Sequence, residues 1–307
     1  MPRYIADFHT HYANPEYPAL LPRNSAAVLE TRWAGLARRI ADLDDLLGET
    51  GRDDIDLRVL SAPPSLVTPA GERTAPDDQR RINDHLAEAV ASVPERLAGL
   101  ATVDAFGGEP AAAEAVRAVR ELGLSGIVVD CATDGRLLSD PSARPALTAA
   151  AELGVPVFAH PISPDVLTTA FAGLGRYGTS LARGTINAAA LLSLLADGVL
   201  AELPELHVVF PMLGIAGLSL AAAADDGDAL RAQVYVDTMG FVPAAVRFAT
   251  ELLGADHVLV GSDWPIGVRG ASRDRVEAVL AAAGLAPDEA DLVAGGTALR
   301  LVRSSPP

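Results

Sequence analysis

Short apolar runs alternate with longer Ala- and Leu-rich stretches along the chain. The runs read as strands: YIADF at 4–8, LRVLSA at 57–62, LAGLATV at 97–103, GIVVD at 126–130, PVFAH at 156–160, HVVFPM at 207–212, VYVDT at 234–238 and HVLVGSD at 257–263. The stretches at 77–92, 109–122, 141–153, 184–202, 242–253 and 272–283 have helical length and character. Several strands are apolar on both faces, as buried parallel strands are. Eight strands in β-then-α order predict an α/β fold, a distorted (β/α)8 TIM barrel forming one domain over 1–307. A nine-stranded or open doubly wound sheet is the competing reading.

Two connections are too long for turns. One runs from about 12 to 37 and holds Pro15, Pro18, Pro22 and Trp33; the other runs from about 161 to 183 and is rich in Gly and Thr. Both follow the C-terminal end of a strand, the face where barrel enzymes build their sites, so they read as insertions that wall or cover a substrate.

Composition narrows the class. The chain has 307 residues and is half apolar, ample for a large core, with no uninterrupted apolar run long enough to span a membrane. One cysteine, Cys131, gives no disulfide framework, and the N-terminus lacks signal-peptide order, so a cytoplasmic address is the default expectation. A net charge of −16 disfavours nucleic acid as a partner. All 24 basic residues are arginine, which excludes a lysine Schiff base, a P-loop lysine or a carboxylated-lysine metal bridge.

Six histidines are present, and two of them, His9 and His11, close the first strand with one residue between them. Residues i and i+2 of a strand share a face, so both point into the barrel at its top, with Asp7 on the same face one layer lower. His160 closes strand five and Asp263 closes strand eight. Three neutral imidazoles and a carboxylate around one axial cavity suit one divalent metal, Zn²⁺ first, with Mn²⁺ and Co²⁺ served by the same donors. His85 falls mid-helix, while His207 and His257 start strands at the barrel bottom, where a structural role is expected.

DFHTH, GRLLSDPSARPAL before GVPVFAHP, and VYVDT with VLVGSDWP resemble the amidohydrolase-related family, whose members include aminocarboxymuconate-semialdehyde decarboxylase and aromatic-acid decarboxylases alongside hydrolases. The resemblance implies a distorted (β/α)8 barrel with one metal held by His9, His11, His160 and Asp263, and it suggests a homodimer. Family members usually end strand six with a histidine, thought to be a general base. The matching position here is Met212, which carries no proton, and His207 lies five residues earlier, about 16 Å along an extended strand.

GLGRYG at 173–178 fits a dinucleotide fingerprint in letters only, since it follows no strand directly and opens no clear helix. A carboxylate substrate needs a cationic anchor. Arg32, Arg38 and Arg39 lie in or after the first insertion, Arg176 and Arg183 in the second; Trp33, Trp264 and Met212 are expected to wall the pocket. The leading reading is a metal-dependent decarboxylase of a small aromatic or unsaturated carboxylic acid. The alternatives are a metal-dependent hydrolase or hydratase of a lactone or amide with Asp263 as base, and a ligand-binding barrel whose catalysis is lost.

Overall fold

In the computed structural model, residues 2–21, 25, 27–69, 71–224, 226–267 and 270–303 are described, without the side chains of Val28, Arg176, Leu213 and Arg303. Pro22 lies outside the described residues. Eight strands form one parallel sheet in sequence order: β1 (Ala6–His11), β2 (Leu57–Ser61), β3 (Leu97–Thr102), β4 (Ile127–Asp130), β5 (Val157–His160), β6 (Val208–Phe210), β7 (Val234–Asp237) and β8 (Val258–Leu259). The sheet closes on itself. The Phe8 amide donates to the Val260 carbonyl at 2.8 Å, the His11 amide donates to the Trp264 carbonyl at 2.8 Å, and Thr10 bridges Trp264. This is the (β/α)8 barrel.

Alternation sorts side chains between two cores. One cluster takes alternate residues from all eight strands, among them Phe8, Val59, Leu100, Phe158, Val209 and Leu259, and therefore fills the barrel interior. Phe8 and Phe158 meet there edge to face at 5.8 Å. The intervening residues, such as Ile127, Val157 and Phe210, join the larger cluster in which the strands pack on the surrounding helices.

β1 breaks this alternation. Its register against β2 shifts between Asp7 and Thr10, as at a β-bulge. Ala6 and Phe8 face the interior below the shift, while His9, next in sequence, packs its ring 4.8 Å from that of the interior Phe158. The expectation that Asp7 shares the face of His9 and His11 is thus corrected. Asp7 lies fully buried between β1, β2 and the end of β8, where it accepts from Arg58 Nη1 at 2.6 Å and from the Ser262 hydroxyl and amide at 2.6 and 2.9 Å.

Both long connections hold regular structure. The first contains most of helix Ala27–Ile40. The second contains Asp165–Ala170, a 3₁₀ segment Ala172–Tyr177 and the first turns of helix Gly178–Ala196. The candidate fingerprint GLGRYG is thus largely 3₁₀ turn. No helix among the described residues is long and apolar enough to cross a membrane.

Candidate metal and substrate site

His9, His11 and His160 converge at the C-terminal mouth of the barrel, each offering a ring nitrogen within 4.8 Å of the others. The rings meet nearly at right angles, with centroids 5.2 Å apart for His9–His11 and for His11–His160. Such edge-on rings aim lone pairs at a common point instead of stacking. Asp263 completes the group: its Oδ1 lies 3.0 Å from His11 Nε2 and 3.5 Å from His9 Nε2. The four predicted ligand residues are therefore brought together.

Asp237, at the end of β7, was not assigned a role from sequence. Its Oδ2 accepts from His9 Nδ1 at 2.7 Å, which fixes the tautomer and leaves Nε2 turned to the cluster. Its other oxygen accepts from the Met212 and Met239 amides, each at 2.9 Å. The carboxylate is thereby held by three donors. An aspartate follows the apolar residues of VYVDT as one follows those of VLVGSD, and that likeness in the letters was the available clue.

The donor chemistry fits a cation. His9 Nε2, His11 Nδ1 and His160 Nδ1 are buried with no hydrogen-bond partner, a costly state for polar atoms unless a ligand satisfies them. Burial, with the charges of Arg183, His11 and His9, holds His160 well below its ordinary value, in the neutral form that ligates. Burial also lowers His11, against the hydrogen bond it donates to Asp263. At His9 burial again disfavours charge, but Asp237, Asp263 and Asp7 outweigh it and raise the pKa. Burial disfavours ionisation of Asp263 as well, yet His11, His9 and Arg183 together hold it below the usual carboxylate range. His11 and His160 are thus kept neutral with lone pairs to offer, and Asp263 is kept anionic beside them.

Asp263 adopts a left-handed backbone, φ 59°, unusual for a residue other than glycine. Asp7 fixes the turn from below through Ser262, and the Gly267 amide donates to the Asp263 carbonyl at 2.6 Å from above. This conformation also decides the place of Trp264. Its side chain is buried beside Arg39 and Arg58, whose guanidinium carbons lie 5.1 and 5.6 Å from a ring centroid, and it does not line the cavity. Trp33 is likewise a packing residue: it joins Ala13, Leu36 and Ile40, with its indole N–H donating to the Ala19 carbonyl at 3.3 Å. Met212 has the outer parity of Val208 and Phe210 and packs with them in the helix-facing core, so it is not a cavity wall. Met239 and Ile266 hold wall positions expected of these three.

A cavity of about 1140 Å³ opens over the histidines. Apolar side chains of both insertions line it, including Leu20, Leu29, Ile162 and Leu167, so the segments do wall the site. Arg183 and Arg32 line it too. Among the described residues no carboxylate or carbonyl pairs with Arg183. Burial lowers its pKa, opposed by Asp263, Cys131 and Asp130. Arg39 is engaged elsewhere, by Asp45 at 2.7 Å and by Glu49. Arg176 has no described side chain, so its expected role lies outside the described residues. Cys131 is buried, and burial pushes its thiol up to about 12.

The cavity also holds two carboxylates after β3 and β4 that sequence reasoning passed over. Arg73 grips Asp104 at 2.7 Å through both Nε and Nη2. Asp130, the last residue of β4, accepts from the Ser65 hydroxyl at 2.7 Å. Burial, with the nearby Asp104, pushes Asp130 up to about 7 against the Ser65 bond and Arg183.

A parallel barrel with imidazoles and a carboxylate gathered at its C-terminal mouth, beneath a mostly apolar cavity, defines the class of metal-dependent barrel enzymes. A family model described as amidohydrolase matches residues 6–304, and the chain belongs to that family. It is 30% identical over 287 residues to the gamma-resorcylate decarboxylase of Rhodococcus jostii (strain RHA1), covering 83% of this chain and 86% of the relative. It is 28% identical over 246 residues to the 2-amino-3-carboxymuconate-6-semialdehyde decarboxylase of Dictyostelium discoideum, covering 73% and 67%. In fold it matches the dihydroxybenzoic acid decarboxylase of Polaromonas sp. JS666, solved with manganese and the inhibitor 2-nitroresorcinol. That match has a TM-score of 0.82 at 22% identity and covers 99% of this chain and 98% of that one.

Proposed function

We propose that this protein is a single-domain, metal-dependent decarboxylase of an aromatic or unsaturated carboxylic acid. The observation that carries the reading is one cavity bordered by three converging imidazoles, Asp263 and the guanidinium of Arg183. His9, His11, His160 and Asp263 would hold one divalent ion, Zn²⁺ or the Mn²⁺ carried by the Polaromonas structure. When bound, such an ion draws electron density from the acid and stabilises the anion left as CO₂ departs.

The chain's own groups supply the rest. Arg183 holds the substrate carboxylate by charge and, as a planar donor, fixes its orientation. The apolar wall excludes water, which strengthens these interactions. Loss of CO₂ leaves an electron pair on the ring carbon, and one proton must be delivered there. Asp263 is ionised at rest, so it would first take up a proton, from water or from an acidic group of the substrate, and then pass it to that carbon; facing the cavity beside His11, it is the carboxylate placed for this relay. Met212, packed outside the cavity, takes no part in this transfer.

The test is a panel of hydroxybenzoates, lactones and amides, with CO₂ release and product NMR as readouts. Release of CO₂ from an acid, lost on chelation and restored by Mn²⁺ or Zn²⁺, is expected, and Asp263→Asn should abolish it. Hydrolysis of a lactone or amide without CO₂ release would replace this reading with the hydrolase one. Elemental analysis decides the ion, and light scattering decides whether the chain forms the homodimer that the family resemblance suggests. A cytoplasmic address accords with the single buried cysteine.

A further inference from the structure

Of the carboxylates that line the cavity, Asp104, Asp130 and Asp263 end or follow barrel strands, and they differ in what already holds them. Asp263 belongs to the histidine cluster. Asp104 is gripped through two nitrogens of Arg73. Asp130 is held by Ser65 alone, whose hydroxyl donates at 2.7 Å and whose backbone amide also donates, and among the described residues no other hydrogen-bond partner is recorded for its side chain. A carboxyl group has two oxygens with about four lone-pair sites, and it keeps acceptor capacity whether ionised or protonated. Asp130 therefore retains capacity that no described residue uses. It stands next to the reacting end of the cavity, because its Cα pairs in register with that of His160 on β5.

We propose that Asp130, oriented by Ser65, is a specificity-determining residue that accepts a hydrogen bond from a hydroxyl or amino group on the ring of the substrate acid. This rests on the carboxylic-acid reading of the site and names the substrate class more narrowly. Charge sorts the two ends of such a molecule. Its carboxylate is drawn to Arg183 and to the cation that the cluster would hold, and its donor to the unused acceptor capacity of Asp130. A ring without a donor would dehydrate Asp130 and return nothing, which is how a buried polar group rejects the wrong ligand. The cavity, about 1140 Å³, exceeds the range of about 300–1,000 Å³ typical of small-molecule sites, so further ring substituents can be accommodated.

The experiment compares 2-hydroxybenzoate with its 3-, 4- and 5-hydroxy derivatives and with the corresponding methoxy compounds. Binding is measured by calorimetry on protein loaded with Mn²⁺ and on protein treated with chelator. At least one added hydroxyl should tighten binding about tenfold, the scale of one hydrogen bond to a charged group. The methoxy counterpart, which accepts but cannot donate, should lose that gain. In Asp130→Ala the gain that the added hydroxyl brings over 2-hydroxybenzoate should disappear. The proposal is overturned if no hydroxyl tightens binding, if methoxy does as well, or if the gain survives in Asp130→Ala. The methoxy comparison uses the wild-type chain, so it decides the matter even where the variant fails to fold. CO₂ release is scored separately. Donor-dependent binding without turnover sinks the decarboxylase reading alone, and turnover without donor preference sinks this one alone.

Discussion

His9 is useful as a ligand only while its ring is held, and Asp237 holds it at 2.7 Å. A carboxylate behind a ligating imidazole keeps the proton on the far nitrogen and raises the basicity of the near one. Asp237→Asn should therefore weaken metal binding by about 10–100-fold in a chelator competition assay, with little loss of fold. Gly261 gives an independent way to move the same carboxylate. A Cβ there would stand 2.7 Å from both Cβ and Oδ2 of Asp237. Gly261→Ala should thus weaken metal binding although residue 261 touches no metal ligand directly; unchanged affinity would show that Asp237 is not what positions His9. The lone thiol makes a contrasting case. With Cys131 buried and pushed up to about 12, iodoacetamide at pH 8 should leave the native protein unmodified and add one equivalent in denaturant, as read by mass spectrometry. The four candidate ligand residues were legible in sequence because each falls at or near the end of an apolar run. Asp237 was not, because its part depends on a contact across 228 positions of chain. Trp264 was placed on the cavity because it follows Asp263, but the left-handed turn at Asp263 aims the next side chain away.

At the scale of elements, all eight strands fall where the apolar runs predict, within a few residues at each end. Burial on both faces makes such runs continuous and bounded, which is why they are readable. The bulge in β1 was not readable, because a one-residue change of register leaves the letters of DFHTH unaltered; only the pairing with β2 exposes it. The two insertions were expected as loops, since proline, glycine and threonine punctuate them, yet helices form inside both. In the second insertion a close contact sets the path. A Cβ on Gly178 would lie 2.5 Å from the Phe171 carbonyl oxygen, so only glycine lets the helix Gly178–Ala196 start beneath the preceding turn. Arg183 stands less than two turns further along that helix. Gly178→Ala should shift this start, raising KM for an acid substrate severalfold while leaving the melting temperature of the barrel within a few degrees of wild type. An unchanged KM would mean that the insertion does not position Arg183.

In the whole molecule the two ends of the barrel do different work. The C-terminal mouth gathers chemistry; the N-terminal end serves stability. His207 and His257 sit at that lower end, beside Tyr235, whose ring lies 5.6 Å from the first and 4.3 Å from the second. His257 Nδ1 donates to the Val234 carbonyl at 2.8 Å. Burial lowers both histidines below the ordinary value of 6.5 and is opposed at His257 by the Val234 bond and Asp256. The unfolded chain therefore takes up protons below pH 6.5 that the folded protein refuses. Stability rises with pH wherever the unfolded state binds more protons, so it is fully present above pH 6.5 and is lost as pH falls from there. Each such proton can steepen the dependence by at most about 1.4 kcal/mol per pH unit. The histidines at the mouth complicate this, since burial lowers His11 and His160 as well. Comparing His257→Gln with wild type, both treated with chelator, isolates the lower end, because sites at opposite ends of the barrel contribute nearly additively. Urea unfolding at pH 7.5, 6.5, 5.5 and 5.0 should show the wild type losing stability as pH falls and the variant losing less. Glutamine keeps a donor for the Val234 carbonyl and has no proton to gain, so the difference reports titration and not a lost hydrogen bond. Parallel profiles for the two proteins would mean that His257 is not a source of the acid sensitivity.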